Sequence, residues 1–374
     1  MFRHRSSKIP ATNVNEKWIA IPIAAPTLEQ ALGRIPEAEP LADVIEFRLD
    51  YLMDLPLDDA WPGVNRLVQA TSLPVILTFH ANVRRPGGHI PTFEQQVALW
   101  RSLFPLARER PIYFDLELRL VERFHSMKEP VPWKNVIASH HNFKETPATL
   151  LEIYKRMRAT PAGILKMATQ AQDISDNVSL FTVHQQAQRD RRPFIGLTMG
   201  EAGVMSRVLS PVWGGLLTFG ALRPDELTAP GQLTAQDLRH LYRLPDLSGA
   251  SQITGVIGNP VGHSLSPRLH NTAYKQLNLD WVYLPLLVKD LGRFMGEFVN
   301  PSSRRLSWNL RGLSVTIPHK VDIRSYLDQL DPVAEQVGAV NTVVIESDRL
   351  VGYNTDVEGA MRPLRERLDV KGIR

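Results

Sequence analysis

Ala162-Gly-Ile-Leu-Lys-Met-Ala168 is a short apolar run with a single charge in it. Its length and composition read as a buried strand. Lysine is almost never fully inside a protein unless it is paired or used. The everyday alternative is a long side chain snorkelling from a strand end to water. What weighs against that alternative is the pattern around the run. Comparable apolar runs lie at 18–23, 44–48, 75–79, 112–116, 136–139, 194–199 and 216–219. Between them, stretches such as 93–108, 147–158 and 175–189 space their apolar residues as amphipathic helices do. Strands alternating with helices imply parallel βα units. Eight such units predict an α/β fold of the (β/α)8 TIM-barrel kind. An open doubly wound sheet is the alternative, but no Gly-rich turn follows the first strand.

A barrel gathers its chemistry at the C-terminal ends of its strands. Glu46 and Arg48 end the second run, His80 the third and Glu117 the fourth. His140 and His141 end the fifth, Lys166 lies late in the sixth, and Arg207 follows the seventh. Charged and imidazole groups therefore converge on one face. A desolvated lysine has a lowered pKa, and its neutral amine can attack a ketone to form a Schiff base. His141 is placed as a proton shuttle, with an unperturbed pKa near neutrality. Glu46 is a carboxylate that could fix its tautomer. Arg207 offers a bidentate fork for a substrate carboxylate. Thr228-Ala-Pro-Gly-Gln232 reads as a polar-tipped lid. Taken singly, His141 could equally be a satisfied core histidine and Arg207 a surface ion pair.

The chain of 374 residues is too long for one hydrophobic core, so two domains are expected. It has no cysteine, which excludes disulfides, thiolate zinc sites and a cysteine nucleophile. No metal site is expected. No apolar run is long enough to span a membrane. The start, Met-Phe-Arg-His-Arg-Ser-Ser-Lys8, is basic without a signal-peptide core, so residues 1–16 read as a disordered tail of a cytoplasmic protein, with a short organelle-targeting remnant as the alternative. The net charge is +4 with arginines scattered rather than striped, which disfavours nucleic acid and suits a basic pocket for a small carboxylate. The partners expected are therefore small molecules, and a homodimer is compatible with the sequence.

Several segments carry a specific resemblance. They are Ile45-Glu-Phe-Arg-Leu-Asp-Tyr51, Ser139-His-His-Asn-Phe143, Leu165-Lys166, Met199-Gly-Glu-Ala-Gly-Val-Met-Ser-Arg207 and Ala229-Pro-Gly-Gln232. In this order, residues 17–243 resemble type I 3-dehydroquinate dehydratase. The resemblance implies a Schiff-base lyase with Lys166 as imine lysine, His141 as general acid/base and Glu46 positioning His141. It implies Arg48, Arg207, Thr228 and Gln232 as substrate contacts, and no cofactor. The chain departs from the family in Leu77-Thr-Phe-His-Ala-Asn-Val-Arg-Arg-Pro-Gly-Gly88. His80 stands where the family has arginine, and Pro86 where it has glutamate. His80 joins the substrate contacts, and Arg84 or Arg85 is expected to supply the displaced cation. The family's usual serine is Thr228 here.

Leu244-Pro-Asp-Leu-Ser-Gly-Ala250 reads as a linker, 244–251, opening onto a second α/β unit, 252–374. Its strands are expected near 252–257, 282–287, 313–316 and 339–345, with helices near 266–277 and 320–330. Gly255-Val-Ile-Gly-Asn-Pro-Val-Gly-His-Ser-Leu-Ser-Pro-Arg-Leu-His-Asn271 joins strand to helix. It lacks the spacing of a dinucleotide fingerprint and the P-loop lysine. Ser264 and Ser266 instead offer hydroxyls and a helix N-cap. Val315-Thr-Ile-Pro-His-Lys320 places a lysine beyond a strand end, and Gly338-Ala-Val-Asn-Thr342 and Gly352-Tyr-Asn-Thr-Asp356 add an amide and a carboxylate. A lysine and an aspartate meeting at a polyol suit proton transfer.

These segments resemble the substrate-binding domain of shikimate dehydrogenase. The resemblance implies Ser264, Ser266, Thr316, Asn341 and Asp356 as shikimate contacts, and Lys320 with Asp356 as the catalytic pair. Ser314 stands where single-function relatives often have asparagine. The family carries NADP on a following Rossmann domain, which is expected to be missing from these 374 residues. The combined reading is a shikimate-pathway enzyme that dehydrates 3-dehydroquinate, fused to a domain for reducing the product with NADPH. Two other readings are another Schiff-base lyase or aldolase on the same barrel, and a ligand-sensing regulator built from degenerate copies.

Overall fold

The computed structural model describes residues 17–80, 90–108 and 110–370. The expected tail, 1–16, and both Arg84 and Arg85 lie outside the described residues. The chain forms two compact units: the first reaches Gln172 and resumes over Ser179–Asp246, while the second takes Asp173–Val178 and continues from Leu247.

The first unit is a barrel of parallel strands. They are β1 Trp18–Ile23, β2 Val44–Arg48, β3 Val75–Thr78, β4 Ile112–Glu117, β5 Val136–Asn142, β6 Ile164–Gln170, β7 Phe194–Met199 and β8 Leu217–Phe219. The sheet runs β7-β6-β5-β4-β3-β2-β1-β8. The ring is completed where the Leu216 N–H donates to the Phe194 carbonyl, 2.8 Å away. The eight runs expected from sequence are all strands, differing only at their ends.

Helices connect them: α1 Leu28–Ala38, α2 Trp61–Gln69, α3 Phe93–Leu103, α4 Leu118–Met127, α5 Leu150–Arg158, α6 Asp176–Arg189 and the short α7 Val204–Leu209. Helix α3 begins at a capping box in which Thr92 and Gln95 satisfy each other's backbone amides. The stretch expected as one helix, 93–108, tightens into a 3₁₀ turn from Phe104, because Pro105 has no N–H to continue the α-helical ladder.

Side chains alternate along a strand, so each second residue points inward. The lowest layers inside the barrel are apolar, with Tyr113 on β4, Ile137 on β5, Ile164 on β6 and Ile195 on β7. One step up the same strands stand Asp115, Ser139 and Lys166, alongside Glu46 and Thr78 of β2 and β3, all buried. A polar layer thus rests on an apolar floor. It faces the C-terminal ends, where barrel chemistry collects.

The second unit holds β9 Gln252–Gly258, β10 Trp281–Leu287, β11 Leu310–Val315, β12 Gln329–Leu330, β13 Thr342–Glu346 and β14 Arg349–Tyr353, ordered β10-β9-β11-β13-β14-β12. Strands β9, β10 and β11 are parallel, and β13 runs antiparallel to β11 and β14. Its helices are α8 Ser266–Gln276, α9 Leu291–Phe294, α10 Pro332–Val337 and α11 Asp356–Val370. The helix expected near 320–330 is not formed. A 3₁₀ turn, Asp322–Tyr326, leads instead into β12. Val321 and Tyr326 are exposed, so no apolar face stabilises a helix, and pairing with β14 takes the segment. Strand β14 is not among the expected strands. It closes a hairpin through Ser347 and Asp348, both at positive φ, a weaker turn signal than Asn-Gly.

Candidate active site

Lys166 is 5% exposed, and its Nζ donates to Asp115 Oδ2 at 2.6 Å, with Glu46 Oε1 at 3.7 Å. Asp115 is 1% exposed, and the Glu46 carboxylate accepts from Thr78 Oγ1 at 2.6 Å. The ammonium also lies 4.3 Å from the Phe219 ring centre. Burial alone would lower the Lys166 pKa, as expected from sequence. The Asp115 and Glu46 carboxylates overcome it and hold the lysine above its ordinary value. Burial likewise pushes Asp115 up, but Lys166 and His80 outweigh it and hold its carboxyl down. Lys166 in this state is an ammonium, not the free amine that desolvation alone would give.

Asp115 is not among the site residues expected from sequence. The signal was present: an acid inside the apolar Ile112-Tyr-Phe-Asp-Leu-Glu117 is the same anomaly that singles out Lys166. Glu117 at the strand end is the more conspicuous acid, whereas the partner of Lys166 lies one inward step deeper.

His141 lies at the end of β5, partly buried. Burial, then the nearby basic groups His80, Lys166 and Arg48, hold its pKa well below the usual imidazole range. Among the described residues its Nδ1 has no hydrogen-bond partner, unlike that of a satisfied core histidine. Glu46, expected to orient it, is engaged by Thr78 and faces Lys166 instead. The ring is bracketed by other rings: Phe143 stacks on it with centroids 5.8 Å apart, and His80 stands perpendicular at 4.6 Å.

The two arginines differ. Arg48 is neutralised by a two-pronged pair with Asp50 at 3.0 and 2.6 Å and lies over the Tyr51 ring. Arg207 is 1% exposed and forms no ion pair among the described residues, and burial pushes its pKa down to about 10. Its Nη2 donates to the Pro230 carbonyl at 2.9 Å. A buried cation without a counter-charge is costly unless something supplies one.

Pro230 belongs to the segment read as a lid. Its carbonyl also accepts from Gly200 N–H at 3.0 Å. Gly231 is at φ +66°, and a Cβ there would lie 2.2 Å from the Gly200 carbonyl, so the close approach requires glycine. Within the segment, Gln232 Oε1 accepts from the Thr228 N–H and hydroxyl at 2.8 and 3.1 Å. Glu46, Arg48, His80, His141, Lys166, Arg207, Thr228 and Gln232 all line one cavity of about 230 Å³.

The second unit has its own cleft, about 610 Å³, lined by Ser264, Ser266, Ser314, Thr316, Lys320, Asn341 and Asp356 among others. Lys320 Nζ donates to Asp356 Oδ2 at 2.6 Å, and Asn341 Nδ2 donates to Asp356 Oδ1 at 2.8 Å. These donors hold the Asp356 carboxyl below its ordinary pKa. Ser266 does not cap α8; Ser264 Oγ accepts from the Ser266 N–H at 3.2 Å. Tyr283, a residue the sequence does not single out, is buried below this cleft, and its hydroxyl is pushed up to about 12 by desolvation.

Comparison with known proteins matches residues 19–248 to type I 3-dehydroquinase and 256–343 to the shikimate dehydrogenase substrate-binding domain. A chloroplastic bifunctional 3-dehydroquinate dehydratase/shikimate dehydrogenase of Arabidopsis thaliana is 36% identical over 368 residues, covering 96% of this chain and 58% of its own length. A shikimate biosynthesis protein of Chlamydia pneumoniae is 31% identical over 347 residues, covering 92% of this chain and 67% of its own. Among solved structures, the dehydroquinate dehydratase and shikimate dehydrogenase of S. pombe is similar at 25% identity and TM-score 0.50, covering 95% of this chain and 67% of that one. The chain thus spans less than two thirds of the Arabidopsis relative. Among the described residues, no helix is long and apolar enough to cross a membrane. The chain belongs to the type I 3-dehydroquinase family, its barrel followed by a shikimate dehydrogenase substrate-binding domain.

Proposed function

We propose that the barrel dehydrates 3-dehydroquinate to 3-dehydroshikimate through a Schiff base on Lys166. The observation that carries this reading is Lys166 held at 2.6 Å from Asp115 in one cavity with His141 and the unpaired Arg207. To attack the ketone, the ammonium must lose a proton, and Asp115 is an acceptor at hydrogen-bond distance. Once the imine forms, it is protonated and carries the positive charge the lysine had. The carboxylates that raise the lysine's pKa therefore also stabilise the iminium. That iminium draws electrons from the adjacent carbon and acidifies its proton. His141, kept neutral by burial, removes the proton and then delivers it to the departing β-hydroxyl, which leaves as water. Hydrolysis of the imine frees Lys166. Arg207 takes the substrate carboxylate, with Thr228 and Gln232 on its hydroxyls. Arg48, paired with Asp50, stands at the cavity wall as a further substrate contact.

The second unit, on this reading, binds shikimate or 3-dehydroshikimate. Ser264, Ser266, Thr316 and Asn341 hold the hydroxyls, and Lys320 with Asp356 moves the proton at the reacting oxygen. In the whole protein that step accompanies reduction by NADPH. The turn after β9 lacks the spacing of a dinucleotide fingerprint. The turn after β9 begins at Gly258, where a Cβ would lie 2.4 Å from Thr316 Cγ2, so this glycine serves packing against a neighbouring segment. The part played by this unit's own side chains is binding and proton movement. The test is a spectrophotometric assay for the conjugated enone formed from 3-dehydroquinate. Steady enone formation by the purified chain is the expected result, and its absence would reject the reading.

A further inference from the structure

His80 and Glu117 stand together at the barrel mouth with no part in the chemistry above. His80 Nδ1 is 3.7 Å from Glu117 Oε1, and both side chains are largely buried. On its other side, His80 meets His141 at 4.6 Å between centroids and 81° between planes. Among the described residues His141 has no hydrogen-bond partner on Nδ1, and Glu46 Oε1 accepts from Thr78. A general base needs something to fix its ring and tautomer. Ring packing is what this structure offers.

We propose that His80, backed by Glu117, is the positioning residue for His141: it holds the catalytic imidazole in plane between itself and Phe143. The proposal rests on the dehydratase reading of the barrel. His80 and Arg119 together hold the Glu117 carboxyl below its ordinary pKa, so an anion stands behind the His80 ring. Arg119 Nε, at 2.8 Å from Glu117, keeps that carboxylate in place. The charged groups facing His141 are His80, Lys166, Arg48 and His140. Those facing His80 are Glu117 and Asp115 from β4, and His141 from β5. The first set lowers the His141 pKa, in keeping with this arrangement. Of these two acids on β4, Glu117 stands beside His80 at the mouth, while Asp115 pairs with Lys166 deeper in.

The experiment has two arms, one independent of turnover. In ¹⁵N-labelled protein, the His141 ring nitrogens are assigned by difference against His141→Gln and followed in His80→Gln and Glu117→Gln. Both variants should shift the His141 tautomer signals, and His141 should titrate at higher pH in His80→Gln. Unmoved His141 signals in both would overturn the proposal. The second arm measures dehydration. His80→Gln should lower kcat roughly 10–100-fold, the usual cost of losing an orienting partner, with KM little changed. It should also enlarge the deuterium isotope effect for substrate labelled at the carbon next to the ketone. A raised KM with normal kcat would make His80 a substrate contact and overturn the positioning role. Glu117→Gln, which leaves the His80 ring in place, should show a smaller loss of the same kind. If the wild-type chain does not dehydrate 3-dehydroquinate, the dehydratase reading fails while the resonance arm still decides whether His80 positions His141.

Discussion

Two lysine–aspartate pairs, Lys166–Asp115 in the barrel and Lys320–Asp356 in the second unit, have the same 2.6 Å separation. Their surroundings differ. The barrel pair is 7% and 0% exposed at its side chains, the other 34% and 56%. Water screens the second pair, so its attraction contributes little to stability. The first pair has lost its hydration, and breaking it leaves an uncompensated charge in a low-dielectric interior. Bond length is therefore a poor guide to what a charge pair does. On the proposed mechanism, the buried pair sets the protonation of Lys166 before it attacks and then stabilises the iminium. The exposed pair keeps a proton donor and acceptor ready beside an open cleft.

The contrast can be broken most sharply at the base. The barrel separates its lysine from its base, so His141→Ala should slow dehydration roughly 10²–10⁴-fold. Shikimate binding by the second unit, followed by calorimetry, should be unaffected. Parallel loss at both units would show that the variant had unfolded. The next test substitutes one carboxylate in each pair. Asp115→Asn should destabilise the barrel by about 3–5 kcal/mol in denaturant unfolding. It should also lower the Lys166 pKa, since it removes the largest attraction opposing desolvation. Asp356→Asn should cost under about 1 kcal/mol. Equal costs would mean that burial does not separate the two pairs.

A smaller effect comes from acid. His184, wholly buried in the barrel, has its pKa lowered to about 4 by desolvation. Its folded value lies below its unfolded one, so the unfolded chain binds more protons. Stability is thus fully present above about pH 6.5 and declines as pH falls towards 4, by about 3 kcal/mol at most. His184→Gln should flatten that decline when urea midpoints at pH 7 and pH 5 are compared. An unchanged slope would assign the acid sensitivity to other groups, such as His141.

The barrel was largely legible because continuous apolar runs and strand–helix alternation are written directly in the residues. Lys166, His141 and Arg207 came from the same logic, polar groups at apolar strand ends. What escaped were properties of three-dimensional neighbours. Asp115 is 51 residues from Lys166 and meets it across the barrel interior. The raised lysine pKa follows from that contact, so desolvation alone gave the opposite sign. Glu46 was paired with His141 by resemblance, yet Thr78 on the adjoining strand takes its oxygen. In the second unit, β12 and β14 escaped because both are short, and β12 is held by pairing with β14 rather than by its own pattern.

The claim on which the rest depends is that Lys166 becomes covalently joined to the substrate. The direct measurement is to incubate the chain with 3-dehydroquinate, reduce with borohydride, and locate the adduct by peptide mass spectrometry. A single adduct on Lys166 is expected, and none on Lys320, whose pair is exposed and proposed to serve proton transfer. An adduct on another lysine, or none from an actively dehydrating sample, would contradict the covalent role of Lys166.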